Sequence, residues 1–328
     1  AGSINEETKY VLQHFGVEPP EYAEDAGAQV KDIAFRRTAG VSGHISLKKA
    51  WELMKTENVM TLAVTSASDK LEGLIITGDI AESYMDVYDN HILSRARTQY
   101  KNIVETLNGT LLAGNEHAYF LRGKVVVATG SRDVIEECIE SDDLVIVGDR
   151  DETHICALEE NASCMVVTGG TQVSAQVLEM ANRRDCVVII TPYDTFTAAR
   201  LINQSMPIKY FMKKENFVTF DIDDYVDEVR EVMSKKRHRD FPVLDDQRRY
   251  LGMVSRRNLL NMHKKKLILV DHNEKSQAID GIEGAEILEI IDHHRLGSLE
   301  TMSPVFFRNQ PLGCTSTIVY QMYCESGI

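Results

Sequence analysis

LKKAWELMKTENVMTLAVTSASDKLEGLIITGDI (residues 47–80) has a counterpart far down the chain, YVDEVREVMSKKRHRDFPVLDDQRRYLGMVSRRNL (residues 225–259). Met54 aligns with Met233, Val64 with Val243, Gly73 with Gly252 and Asp79 with Asn258, each pair 179 positions apart without a gap. In both copies apolar residues first recur at helical spacing and then gather into short β-type runs. Each copy therefore reads as amphipathic helix, short strand, polar turn, glycine-led strand and helix. A unit this short cannot bury a core alone, so the two copies are expected to share one.

These copies resemble the CBS domain, a module that works in pairs and binds adenine nucleotides in a cleft between copies. The resemblance rests on the helix ending in Met, the apolar strand (TLAV, DFPV) and a segment of the form G-h-h-[ST]-x-x-[DN], h being apolar. The second copy matches that segment from Gly252 through Ser255 to Asn258. The first copy, GLIITGD, carries Ile76 where the hydroxyl belongs and Thr77 one place later, with Asp79 in the ribose position. The resemblance implies a nucleotide site built from Thr77, Asp79, Arg248, Tyr250, Ser255, Arg256 and Asn258. The chemistry agrees. A ribose diol needs a carboxylate or amide acceptor, a phosphate needs hydroxyls and guanidinium forks, and Tyr250 offers a ring face to a base.

Residues 81–224 separate the copies and are not of low complexity. The apolar runs KVVVATG (124–130), DLVIVGD (143–149), SCMVVTGG (163–170) and CVVIITP (186–192) alternate with the helical patterns RDVIEECIE, ETHICALEE, VSAQVLEMANRR and DTFTAARLI. Such alternation predicts a small α/β domain with a largely parallel sheet. The segment resembles the DRTGG domain, whose motif survives as Asp149-Arg150-Asp151 and Thr168-Gly169-Gly170. Thr-Gly-Gly at a strand end is read first as a tight strand-to-helix turn and second as a phosphate cradle. The domain is expected to mediate dimer contacts or transmit a signal.

After the second copy, two apolar runs end alike, KLILVDHNE (266–274) and EILEIIDHHRLG (286–297). Acid and imidazole at the ends of neighbouring strands suit a divalent metal. In that order and spacing the runs resemble the DHH phosphoesterases, most closely family II inorganic pyrophosphatases. QPLGCTSTIVYQMY (310–323) and the N-terminal INEETKYVLQHFGVEPPE support the match. The resemblance implies that Asp271 bridges two metals and His293 ligates one. His294 would contact phosphate or act as general acid. It implies Mn²⁺, Co²⁺ or Mg²⁺ as the metal of the complete enzyme and pyrophosphate as its substrate. AMP or ADP would inhibit and diadenosine polyphosphates activate. The family's opening G-H-x-x-P-D-x-D motif is absent, and two protein ligands cannot hold a dinuclear centre.

The expected class is α/β, in five parts. Residues 1–27 are a piece of a DHH domain, 28–90 the first CBS copy, 91–205 the DRTGG domain, 206–265 the second CBS copy and 266–328 a partial DHH domain. Composition is that of a globular chain, with 43% hydrophobic and 26% charged residues. Its net charge of −14 argues against nonspecific nucleic-acid binding but leaves room for a local basic pocket. No apolar run is long enough to span a bilayer, and six cysteines without C-x-x-C spacing suit a reducing cytoplasm. A homodimer is expected from the habit of CBS modules. Two other readings stay open: a stand-alone nucleotide sensor whose DHH-like tail is structural, and a different DHH phosphoesterase.

Overall fold

A computed structural model describes residues 4–85, 89–262, 264–301 and 303–328. The chain forms two compact units, one of residues 38–218 with 247–251, the other of residues 1–37, 219–246 and 252–328.

In the first unit, the first copy folds as read. Ser46 caps the helix Leu47–Thr56 by accepting a 3.1 Å hydrogen bond from the Lys49 amide. Strands Thr61–Thr65 and Leu71–Ile76 pair antiparallel, and the helix Thr77–Met85 follows at once. Val41 adds a parallel bridge to Val64. The glycine-led strand is also covered by a segment that precedes the second copy, since Leu74 and Lys213 exchange backbone hydrogen bonds at 2.9 and 2.8 Å.

The intervening segment is the α/β domain the alternation predicted. Strands Val125–Val127, Leu144–Val147, Cys164–Val167 and Val187–Ile190 run parallel, and Thr110–Ala113 joins the edge antiparallel. The helices Arg132–Cys138, Asp151–Glu159, Ala175–Arg183 and Thr195–Leu201 alternate with the parallel strands. Strand residues divide between two cores with period two. Leu144, Ile146, Cys164, Val166 and Ile189 join a cluster that includes Met54, Leu62 and Ile75 of the first copy. Val145, Val147, Met165, Val167 and Val188 face the other way, toward Cys156, Leu158 and Val177. The first copy and the α/β domain thus share one continuous core.

The second unit holds the second copy. Its helix Val226–Lys235 precedes strands Asp240–Leu244 and Tyr250–Ser255, and the short strand Phe220–Asp221 runs parallel to the first of these. Phe220 pairs with Val243 as Val41 pairs with Val64, the repeat reproduced at the level of register. One expectation is corrected here. The second copy closes with the 3₁₀ turn Asn258–Asn261, not a helix. The chain must enter the strand Lys266–Val270 a few residues later, which leaves no length for one. Strands Lys266–Val270, Glu286–Asp292 and Phe306–Asn309 then form a parallel sheet with Glu286–Asp292 central, followed by the helix Thr315–Glu325. Among the described residues, a small core around Leu269, Ile282 and Ile290 packs with it.

Candidate functional site

The residues that the sequence assigns to a nucleotide site fall into several groups, each with its own local geometry. Asp79 and Asn258 play one role at equivalent positions. An Asp79 carboxylate oxygen accepts from the Ile76 amide at 2.8 Å, and the Asn258 carbonyl oxygen accepts from the Ser255 amide at 2.8 Å. Each side chain caps the turn at the end of the glycine-led strand. Asp79 is buried and also meets Lys213 Nζ at 3.3 Å. Asn258 takes the Ser255 hydroxyl at 2.7 Å and donates to the Ala34 carbonyl at 2.8 Å. Arg256 donates to the His238 carbonyl at 2.8 Å and also to the carbonyls of Met233 and Lys236, which closes the end of the helix Val226–Lys235. Thr77 opens its helix on the wall of a cleft of about 830 Å³ between the two helices of the first copy.

Arg248 and Tyr250 do come together with partners the sequence reading did not name. Lys70, in the hairpin turn of the first copy, forms an antiparallel bridge with Arg249, and the Tyr250 amide donates to the Asp69 carbonyl at 2.8 Å. Lys70 and Arg249 are themselves 179 positions apart, so equivalent turns of the repeat meet one another. That spacing was the signal for Lys70. Tyr250 is buried, and its hydroxyl lies 3.3 Å from the Thr38 hydroxyl. Arg248 holds the turn in the left-handed region at φ 62°. The arrangement gathers Lys70, Arg248 and Arg249 with two hydroxyls on a turn pinned by backbone hydrogen bonds, a donor set suited to an anionic ligand.

Thr168-Gly169-Gly170 is a turn. The Thr168 hydroxyl donates to the Val147 carbonyl at 2.9 Å, and the Gly169 and Gly170 amides are spent at 2.8 Å on Tyr193 and Thr191 carbonyls. Both glycines have positive φ, 78° and 67°, which explains the residue type.

The metal-type residues form a separate group in the second unit. Among the described residues, Asp271, His293 and His294 place ligand atoms within 4.8 Å of one another. Asp271 and Asp292 end neighbouring parallel strands, which brings the acid and the two imidazoles to one sheet end. Nδ1 of His293 lies 2.9 Å from the Leu312 carbonyl, and a carbonyl can only accept, so Nδ1 carries the proton. Nε2 faces Asp271, 3.5 Å away. His294 Nδ1 likewise bonds the Asp292 carboxylate at 2.8 Å. Burial works against ionised Asp292, but hydrogen bonds from His294, Asn273 and the His293 amide outweigh it and hold its pKa below the usual carboxylate value. Thr315 donates to Asp271 at 2.6 Å. An imidazole oriented by a carbonyl, as His293 is, or by a carboxylate, as His294 is, has the outer-shell support that metal-binding histidines receive. The three donors fit a divalent cation and fill part of its coordination. The quoted triplet contained Asp292 without a role for it. Asn273, Leu312 and Thr315 act through the fold and carry no sequence signal of their own.

The DRTGG domain family matches residues 102–205, and the CBS domain family matches residues 208–264. The chain is 41% identical over 327 residues to a cobalt-dependent inorganic pyrophosphatase of Clostridium perfringens. It is 36% identical over 328 residues to a probable manganese-dependent inorganic pyrophosphatase of Thermotoga maritima. All of this chain is covered in both cases, and it spans 60% of each relative's length. A solved structure of the CBS and DRTGG domains from the regulatory region of the Clostridium perfringens pyrophosphatase, complexed with its activator diadenosine tetraphosphate, is similar at 36% identity and a TM-score of 0.67. That likeness covers 70% of this chain and 100% of the other. Repeat and inserted α/β domain together with these likenesses establish that the chain carries a CBS–DRTGG regulatory region of the family found in the CBS-domain family II inorganic pyrophosphatases.

Proposed function

We propose that this chain senses adenine nucleotides on behalf of a pyrophosphate-hydrolysing metalloenzyme. The observation that carries the reading is the likeness to a regulatory region held with diadenosine tetraphosphate. The basic turn of Lys70, Arg248 and Arg249 beside Tyr250 supports it, since it offers the cationic donors that a phosphate chain requires. Diadenosine polyphosphates would activate and AMP or ADP inhibit, through different affinities for two packings of the regulatory region. The domain limits 1–27, 28–90, 91–205, 206–265 and 266–328 belong to this proposal.

The complete protein would hydrolyse pyrophosphate to two phosphates. His293 and Asp271 would hold a metal ion, Mn²⁺ or Co²⁺ by the relatives' names, with Mg²⁺ as the further candidate. Such an ion supplies an activated water and neutralises phosphoryl charge. His294, held through Nδ1 by Asp292, presents Nε2 for proton transfer or for a phosphoryl oxygen. The sheet beside these residues leaves Ile268, Val270 and Leu288 exposed, which supports its being covered in the complete protein, because parallel sheets are normally buried on both faces. Self-association into a homodimer is supported by Trp51, Met60, Tyr84 and Met85, exposed apolar side chains on the wall of the 830 Å³ cleft.

Calorimetric titration with AMP and diadenosine tetraphosphate tests the sensing. Arg248→Ala should weaken both ligands about tenfold or more, the worth of a charge-assisted hydrogen bond. Asn258→Asp keeps the oxygen that caps the turn but loses the donor to the Ala34 carbonyl, so its titration is read beside a thermal melt that reports the structural part. No heat from either ligand in folded protein sinks the reading.

A further inference from the structure

A second basic cleft lies in the first unit, away from the Lys70–Arg249 turn. It has a volume of about 650 Å³ and is walled by His44, Arg95, Arg97, Lys209 and Lys214 with two tyrosines, Tyr119 and Tyr210. Among the described residues, no carboxylate lines it. In a chain with 50 acidic and 36 basic residues, a concavity with four permanent cations and no acid runs against composition. Arg95 has an ion-pair partner, Asp89, at 2.5 Å. Arg97, Lys209 and Lys214 have none among the described residues, so their mutual repulsion is uncompensated within the fold.

The walls are built and not loosely arranged. The Lys209 amide donates to the Gly43 carbonyl at 2.9 Å, and the Ile208 amide to the Ile45 carbonyl at 3.0 Å. Buried Asn102 donates to the His44 carbonyl at 2.9 Å. The Thr98 hydroxyl, fully buried, donates to the Leu93 carbonyl at 2.8 Å and fixes the turn that carries Arg97. Arg97 itself sits at φ 54°, a left-handed conformation that costs a long side chain about 1 kcal/mol or more. Gln99 pairs with Tyr119, which ties that ring to the same turn. Tyr119 and Tyr210 remain 42% and 46% exposed, with ring faces and hydroxyls available to a ligand.

We infer that this cleft is a second anion site that takes a phosphate chain, free or carried by a nucleotide. Its permanent cations lie on two chain segments, 95–97 and 209–214, so a linear oligophosphate can meet several at once. The inference does not depend on the nucleotide reading of the Arg248 turn, because the two share no residue.

Calorimetric titration of the 328-residue chain with inorganic triphosphate tests it. The variants are Arg97→Asn, which suits the left-handed backbone, and Lys209→Gln. In an Arg248→Ala background, which silences the other basic turn, each should weaken the remaining triphosphate binding about tenfold, and AMP binding survives in both cleft variants when Arg248 is intact. A parallel titration with ATP distinguishes the sources: tighter binding than triphosphate assigns the tyrosine faces to a base, and equal binding assigns the site to the phosphate chain alone. Absence of triphosphate binding in folded protein overturns the inference. So does triphosphate binding that Arg248→Ala alone abolishes.

Discussion

Gly73 and Gly252 show how tightly single residues of the repeat are constrained. A Cβ at Gly73 would lie 2.6 Å from the Lys213 carbonyl oxygen, and one at Gly252 would fall on the Arg36 carbonyl. Both contacts are backbone and cannot rotate away. Gly252→Ala should therefore cost about 1–3 kcal/mol, as overpacking does, measured as a lower denaturant midpoint. Gly313, whose Cβ would meet nothing within 4 Å, is the control that should change little when replaced by alanine. The repeat's glycines were visible in the sequence as aligned positions, but what approaches them was not. The carbonyl in each case comes from a distant segment, residue 36 or residue 213.

The five-stranded sheet is an element whose chemistry follows from burial on both faces. Its strands are short, apolar and flanked by Gly or Asp, so its class was readable. The partition of alternate residues between two cores was readable only as periodicity, without a partner for either face. Burial pushes the Cys186 thiol up to about 12 and raises Cys164 well above its usual value. In the unfolded chain these thiols ionise near 9. The folded state keeps its protons longer, so the stability they contribute is complete below about pH 9. It is lost as pH rises toward 12, at about 1.4 kcal/mol per pH unit for each group. Urea midpoints measured at pH 8 and pH 10 should show the fall, and Cys186→Ala should flatten it. An unchanged slope in that variant would locate the alkaline sensitivity elsewhere.

At the scale of the whole molecule, each copy's glycine-led strand is completed by a segment that precedes the other copy. Arg36 and Met253 exchange hydrogen bonds at 3.0 and 2.8 Å, and Leu74 does so with Lys213. Each unit therefore contains chain from both halves of the repeat. The α/β domain shares the core of the first copy, so a ligand that alters this copy's packing acts on both together. Trp51, the chain's one tryptophan, is 43% exposed on the cleft wall assigned to self-association. Trp51→Glu leaves the buried core untouched and should shift the protein from dimer to monomer in sedimentation velocity. A dimer that persists would place the subunit contact on another face. No described helix is long and apolar enough to cross a membrane.

The sequence by itself determined the repeat, its register, the α/β class of the inserted domain and the Asp/His pattern at the ends of two strands. All of these are local: periodicity, turn chemistry and fixed spacing survive in one dimension. Only the tertiary structure decided which side chains are available for binding. Asp79, Asn258 and Arg256 are engaged in capping backbone groups and the Ser255 hydroxyl donates to Asn258, and a buried amide or a helix end must find such partners when the chain folds. Only the tertiary structure brought Lys70 to Arg249, gave His293 its Nδ1 partner in the Leu312 carbonyl and gathered Arg97, Lys209 and Lys214 around one cleft. Those groupings join residues from distant parts of the chain. Charge and hydrogen bonding act through distance in space, which sequence order does not record.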